Sequence, residues 1–195
     1  VRLAKGHMTW PAQRLEADKL DLALTYDLQK GLSTQHLQGS LLGGAVKGRL
    51  YQQGERAGRV LRLDLAGSTQ AETLRNWLSI PQLALAHGTV PYTLQMQIRP
   101  AGSKQPGSLL VQSALKGTSI ELPEPFGKES AESRDLKVQQ TLGGNTRTTL
   151  VSYDDKISVA WESQAGRWQR GGIRLGPGQP VFSAQQPWRL TGALS

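Results

Sequence analysis

Leucine at every second position is the feature of this sequence that most limits its fold. From Lys19 to Leu28 apolar residues alternate with polar or small ones, and the same alternation returns around residues 61–65, 92–98, 109–115, 136–142 and 157–161. Successive side chains of a strand point to opposite faces, so a period of two predicts half-buried strands with one apolar face. The sequence therefore predicts a mainly β protein.

Short polar or glycine-containing segments separate the predicted strands. The candidate turns are Gln38-Gly39-Ser40, Gly43-Gly44, Gln53-Gly54-Glu55, Gly143-Gly144-Asn145 and Asp154-Asp155. Glycine and asparagine accept positive φ angles at low cost, which suits the tight turns of hairpins. We therefore expect about ten strands in a long antiparallel β-meander, in which sequential strands pair.

One segment departs from the strand pattern. Thr69 and Glu72 have the spacing of a capping box, and apolar residues follow at helical intervals until Pro81. The sequence predicts one short amphipathic helix over residues 69–79.

The 195 residues are expected to form a single unit rather than two domains. A Pro-rich and then charged segment, 123–135, is predicted to be a loop between an N-terminal sheet region, 1–122, and a C-terminal one, 136–195. Because the chain begins with Val1 rather than Met, we expect it to be a fragment of a larger elongated β-sheet protein.

Charge gives no sign of a nucleic-acid partner. The formal charge is +8, from 23 Lys and Arg against 15 Asp and Glu, and the basic residues occur singly along both halves of the chain. Direct binding of nucleic acid needs clustered positive charge. The sequence predicts no nucleic-acid binding.

Candidates for catalysis or metal binding are few. The three histidines, His7, His36 and His87, have no second ligand at helical or strand spacing, and the chain contains no cysteine. Asp154-Asp155 is better explained as a turn, and the glycine-rich segment 171–178 lacks the Lys-Ser/Thr of a phosphate-binding loop. We expect no enzyme activity, no catalytic residues, no metal and no cofactor.

The excess of leucine is itself informative. Leu occurs 29 times, against 9 Val and 5 Ile, although the β-branched residues have the higher strand propensity. Leu side chains give an adaptable apolar surface that suits acyl chains as well as a protein core. From periodicity alone, a packed sandwich or closed barrel stays open beside a lipid-lined groove.

Three segments resemble the AsmA-like superfamily of long Gram-negative envelope proteins, and its YhdP branch in particular. They are Leu37-Gln38-Gly39-Ser40-Leu41-Leu42-Gly43-Gly44-Ala45-Val46-Lys47-Gly48-Arg49-Leu50, then Leu115-Lys116-Gly117-Thr118-Ser119-Ile120-Glu121-Leu122-Pro123-Glu124-Pro125-Phe126-Gly127-Lys128, and Trp168-Gln169-Arg170-Gly171-Gly172-Ile173-Arg174-Leu175-Gly176. The resemblance implies a long curved β-meander that forms an open apolar groove for phospholipid transport between the inner and outer membranes. It also implies a periplasmic location, an inner-membrane anchor outside this fragment, and inner- and outer-membrane envelope proteins as further partners.

Taken with that resemblance, the alternating apolar residues are the candidate groove. The predicted lining residues are Leu20, Leu22, Leu24, Tyr26, Leu28, Leu61, Leu63, Leu65, Leu94, Met96 and Ile98. An acyl chain of some fifteen methylenes would gain about 12 kcal/mol in a continuous apolar groove.

Two other functions are compatible with the same sequence. A periplasmic scaffold would have a packed β-sandwich core, no bound lipid, and an edge strand for a protein partner. A glycan-binding module would use Trp161, Trp168 and Trp188 as an exposed platform, although such residues are more often core or rim anchors.

Overall fold

The computed structural model describes residues 1–10, 14–29, 31–54, 58–100, 102–103, 105–183 and 185–193. Within them lie one α-helix, α1 (Ala71–Leu78), one 3-10 helix (Pro81–Leu85) and thirteen strands. The strands are β1 (Arg2–Trp10), β2 (Leu15–Asp27), β3 (Gly31–Leu41), β4 (Gly44–Gln53), β5 (Val60–Gln70), β6 (Ala86–Ile98), β7 (Gly107–Ser113), β8 (Thr118–Ile120), β9 (Leu136–Leu142), β10 (Thr146–Tyr153), β11 (Ile157–Gln164), β12 (Arg167–Leu175) and β13 (Trp188–Gly192). The prediction of a mainly β chain with one short helix is confirmed.

The strands form one sheet in chain order, β1-β2-β3-β4-β5-β6-β7-β9-β10-β11-β12-β13, while β8 pairs with the start of β6. Neighbours are antiparallel except β12 and β13, which are parallel because a connection crosses back between them. The expected meander is thus found, with more strands than the alternation alone had indicated. Strands β8 and β13 are short, and β1 is irregular near Gly6, so none of these three shows a clear period of two.

The sheet is open among the described residues. Strands β1 and β13 are its two edges and do not pair with each other. The chain exposes 12698 Å², whereas a compact monomer of this size exposes about 9,100 Å². Only seven apolar residues are buried in the described chain, and three of these are alanines. Most of the large apolar side chains are therefore half-buried on a single layer rather than enclosed between two.

The two ends of the strands differ. At one, the hairpin edge, short connections follow strand ends such as Asp27, Ile98 and Gln164. At the other, the helix edge, the longer segments 71–85 and 114–135 leave the sheet and return to it. At the helix edge, described segments therefore pack beside the sheet as well as within it. The connection between β12 and β13 also packs on the sheet, with Pro180 and Val181 against Gly172.

Helix α1 is shorter than predicted and lacks the expected capping box. Its N-cap is Gln70, with no side-chain cap hydrogen bond, and it ends at Leu78 with Ser79 in the left-handed region. The Thr69 hydroxyl donates instead to the carbonyl of Leu42, 2.7 Å away, because Thr69 is still paired in β5. Strand β5 therefore continues through Thr69, the residue that the capping box would place at the N-cap of the helix.

One predicted turn is wrong and three are confirmed. Gly39 lies inside β3 and pairs with Val46. A Cβ there would come within 2.9 Å of the Leu20 side chain, so this glycine permits close packing rather than a turn. Turns do occur at Gly43, over 143–145 and at 154–155. Gly54 also lies in a bend, but Glu55 of the same predicted turn is outside the described residues.

Candidate functional site

Strands β5 and β6 bring six of the predicted groove residues into direct opposition. Their register pairs Leu61 with Ile98, Leu63 with Met96, and Leu65 with Leu94. Directly opposed residues of an antiparallel pair share one face of the sheet. These six side chains therefore form a contiguous apolar patch.

The predicted residues of β2 lie three strands away from this patch. Bulges beside Asp18 and between Leu22 and Leu24 interrupt the β2–β3 pairing. Leu20 is buried beside Gly39, and Leu22 lies opposite Leu37. The remaining predicted residues of this region, Leu24, Tyr26 and Leu28, lie towards the hairpin edge, with Leu28 beyond the end of β2 and 86 % exposed.

A single row of opposed residues joins these regions across all twelve strands of the main path. This central row consists of Leu3, Leu22, Leu37, Gly48, Leu65, Leu94, Val111, Val138, Val151, Val159, Ile173 and Leu190. Every member except Gly48 is a Leu, Val or Ile. At Gly48 a Cβ would lie 2.7 Å from Leu65 Cδ2, so the Leu65 side chain already covers that position.

The neighbouring row, on the opposite face of the sheet, is polar. It consists of Asp21, Gln38, Lys47, Ala66, Thr93, Gln112, Lys137, Ser152, Ser158, Arg174 and Thr191. All are polar or charged except Ala66. The register thus places an apolar row and a polar row on opposite faces of the sheet, and the central row crosses all twelve strands, about 53 Å at the usual strand spacing.

Sequence reasoning missed most of the central row. Leu37, Val138 and Val151 were not among the predicted groove residues, although parts of their strands do alternate. The alternation shows that a strand has an apolar face, but only the register shows that the faces of different strands coincide. The available signal was the alternation around residues 109–115, 136–142 and 157–161.

The apolar face is partly covered at the helix edge. Ala71, Val90 and Leu115 form a buried cluster, against which Leu136 and Tyr153 of the sheet also pack. The Arg14 guanidinium donates to the Trp77 carbonyl at 3.0 Å and to the Ser79 hydroxyl at 3.1 Å, which ties α1 to the start of β2. Segments 71–85 and 114–135 therefore bound one side of the apolar face.

Lys128 holds the second of these segments together. Its ammonium is buried and donates to the carbonyls of Leu115 at 2.9 Å and Glu129 at 2.8 Å, and also to that of Thr118. Burial lowers the pKa of Lys128, while the nearby Glu132 opposes this shift. Since its hydrogen bonds go to the backbone, Lys128 has a structural part rather than a place on the apolar face.

Three tryptophans lie on the apolar face near the hairpin edge. Trp161, Gly171 and Trp188 are mutually opposed on β11, β12 and β13. The rings of Trp168 and Trp188 stack with centroids 5.4 Å apart, and the two residues are 42 % and 46 % exposed. A Cβ on Gly171 would lie 2.5 Å from the Trp188 ring. Because Gly171 has no side chain, the Trp188 ring packs directly against β12. The tryptophans extend the apolar face rather than standing apart from it.

The described residues offer no constellation for metal chemistry. No group of three or more His, Cys, Asp or Glu side chains among them could hold a metal ion. His7 instead contacts Asp18, with 2.5 Å between Nδ1 and the carboxylate oxygen, and His87 contacts Glu121 at 3.5 Å. Within the same described residues, no helix is long and apolar enough to span a membrane.

Comparison with known proteins gives one match. Residues 1–195 match the family model described as YhdP protein. Searches of the curated proteins and of the solved structures found no match.

Proposed function

The chain belongs to the YhdP family, a lipid-transport type of bacterial envelope protein, and from that premise we propose that it binds phospholipid acyl chains along its central row. In this proposal it is a periplasmic segment of a bridge-like protein that supports phospholipid transport between the inner and outer membranes. The observation that carries the proposal is the row of opposed aliphatic residues from Leu3 to Leu190, interrupted only by Gly48, on an open sheet.

The energetics of this surface suit transport. Full burial of the fifteen methylenes of an acyl chain would contribute about 12 kcal/mol to its binding free energy. An open face that covers one side of the acyl chain would contribute about half of that. About 6 kcal/mol would hold a lipid against desorption and still permit exchange. Trapping in a deep, closed pocket would oppose movement.

The repetition of the row suits movement along it. Each strand presents a similar aliphatic side chain about 4.8 Å from the next. Contacts of this kind are non-directional, so an acyl chain that slides by one strand exchanges one set of contacts for an equivalent set. We propose passive sliding across the strands, with the anchor and the membrane-facing partners outside these residues.

Leu63→Arg is the variant that tests the proposal. Leu63 lies at the centre of the apolar patch, between Leu50 and Met96, so a cation there should disrupt lipid contact without breaking strand pairing. We expect co-purifying phospholipid, quantified by mass spectrometry, to fall at least about tenfold, while circular dichroism still shows the β-sheet. Leu24→Asp should act in the same way on β2.

Thr93→Arg is the matched control, because it adds the same charge to a neighbouring strand on the polar face. It should leave lipid binding unchanged. Equal amounts of lipid in the Leu63→Arg variant and the wild type would contradict the proposal. Absence of lipid from the wild type, with a protein partner retained, would instead favour the scaffold function.

A further inference from the structure

The positive charge of the chain is unevenly distributed between the two edges of the sheet. Each edge consists of the described residues of its connections and those within two positions of the strand ends. The helix edge then carries nine carboxylates, Glu16, Glu72, Glu121, Glu124, Glu129, Glu132, Asp135, Asp154 and Asp155, and eight basic residues, Arg14, Arg75, Lys116, Lys128, Arg134, Lys137, Lys156 and Arg174. Its charges nearly cancel.

The hairpin edge has a different balance. By the same criterion its described residues include seven arginines, Arg2, Arg59, Arg62, Arg99, Arg147, Arg167 and Arg189, and two carboxylates, Asp27 and Glu162. Arg2 lies 3.8 Å from Asp21, whereas the other six form no ion pair with a described carboxylate. Glu162 pairs with Arg170 instead. The described part of this edge therefore has an excess of positive charge, carried wholly by guanidinium groups.

Two of these arginines border the apolar face itself. Arg147 lies opposite Ser163, which in turn lies opposite Trp168, so it shares the face of the tryptophans. Arg59 donates to the carbonyls of Leu28 at 3.1 Å and Gln29 at 2.6 Å, and its Nε is buried with no hydrogen-bond partner. An unsatisfied buried donor beside an apolar surface favours an anionic acceptor.

We infer that the hairpin edge binds the phosphate groups of anionic phospholipids whose acyl chains lie on the central row. This inference rests on the proposed function and adds to it a head-group class and an orientation. The helix edge is covered by α1 and segment 114–135 and is nearly neutral, so head groups project from the hairpin edge. Arginine suits this role because its planar fork matches phosphate oxygens.

A lipid is the occupant that fits both parts of this surface. A nucleic acid would satisfy the arginines but would leave the adjoining apolar row exposed to water. A phospholipid places an anion directly beside its apolar chains, as the edge and the row are placed here. Charge and apolarity on one continuous face are therefore complementary to the same molecule.

The test compares extraction of two lipids by the 195-residue chain. Liposomes of dioleoylphosphatidylglycerol or of dioleoylphosphatidylcholine are incubated with protein, and bound lipid is counted by mass spectrometry after gel filtration. The two lipids have the same acyl chains, so their ratio reports the head group alone. In Arg147→Gln/Arg167→Gln we expect the preference for the anionic lipid to fall about tenfold, with a smaller fall in extraction of phosphatidylcholine, whose phosphate charge is offset by its choline group.

The matched control is Lys19→Gln/Lys116→Gln, which removes the same net charge from exposed positions away from the hairpin edge. It should keep the wild-type preference. The inference is overturned if the arginine variant keeps the preference, if the control loses it equally, or if an oligonucleotide displaces the bound anionic lipid. In those cases extraction of both lipids still supports the proposed function, whereas extraction of neither lipid by the wild type contradicts that function itself.

Discussion

Lys128 shows how one residue fixes the boundary of the apolar face. Its buried ammonium donates to three backbone carbonyls of segment 114–130 and so substitutes for regular pairing there. Lys128→Met would keep most of the side-chain volume but leave these carbonyls without their charged donor. We expect the free energy of unfolding, measured by urea denaturation, to fall by about 2–4 kcal/mol.

Lys116→Met is the control for that prediction, since Lys116 is exposed in the same segment. Its effect should stay within about 0.5 kcal/mol. If both variants had the same stability, the carbonyl contacts of Lys128 would contribute little, and the segment would be held by apolar packing around Leu115 alone.

At the scale of elements, α1 begins without a side-chain cap. Gln70 occupies the N-cap position with an extended backbone, and its amide donates to the Thr89 hydroxyl at 3.1 Å instead. Gln70→Asp would place a carboxylate at the first free backbone N–H groups of the helix. We expect this variant to be more stable than Gln70→Ala by about 0.5–2 kcal/mol in urea denaturation, because both lose the Thr89 contact and only one regains a cap. Equal stability of the two variants would mean that the helix N-terminus is already satisfied by other groups.

At the scale of the whole molecule, the open sheet predicts an extended shape. A compact chain of 195 residues has a radius of gyration of about 16 Å. Twelve strands side by side span about 53 Å, so we expect small-angle X-ray scattering to give a radius clearly above the compact value. A radius near 16 Å would show that the sheet folds back on itself in solution, as the sandwich alternative requires.

The charge of the molecule illustrates why chain order can mislead at this scale. Basic residues are spread evenly along the sequence, so the sequence predicted no nucleic-acid binding and gave no sign of a charged edge. Alternate connections of a meander return to the same edge, so arginines far apart in sequence, such as Arg59 and Arg147, meet at one side. The net charge of a sequence segment does not show this difference between the two edges of the sheet, because the difference arises from the direction in which each strand runs.

The sequence by itself determined the strand class, one apolar face per strand, and the approximate place of the helix, because these depend on local periodicity. It did not determine the bulges of β2, the parallel β12–β13 pair, or the place of Gly39 inside a strand. Only the tertiary structure decided that Leu22, Leu65 and Val151 lie in one row, because a shift of one residue between strands would put a side chain on the other face. Register is a property of pairs of strands, and it turned separate apolar faces into one continuous surface.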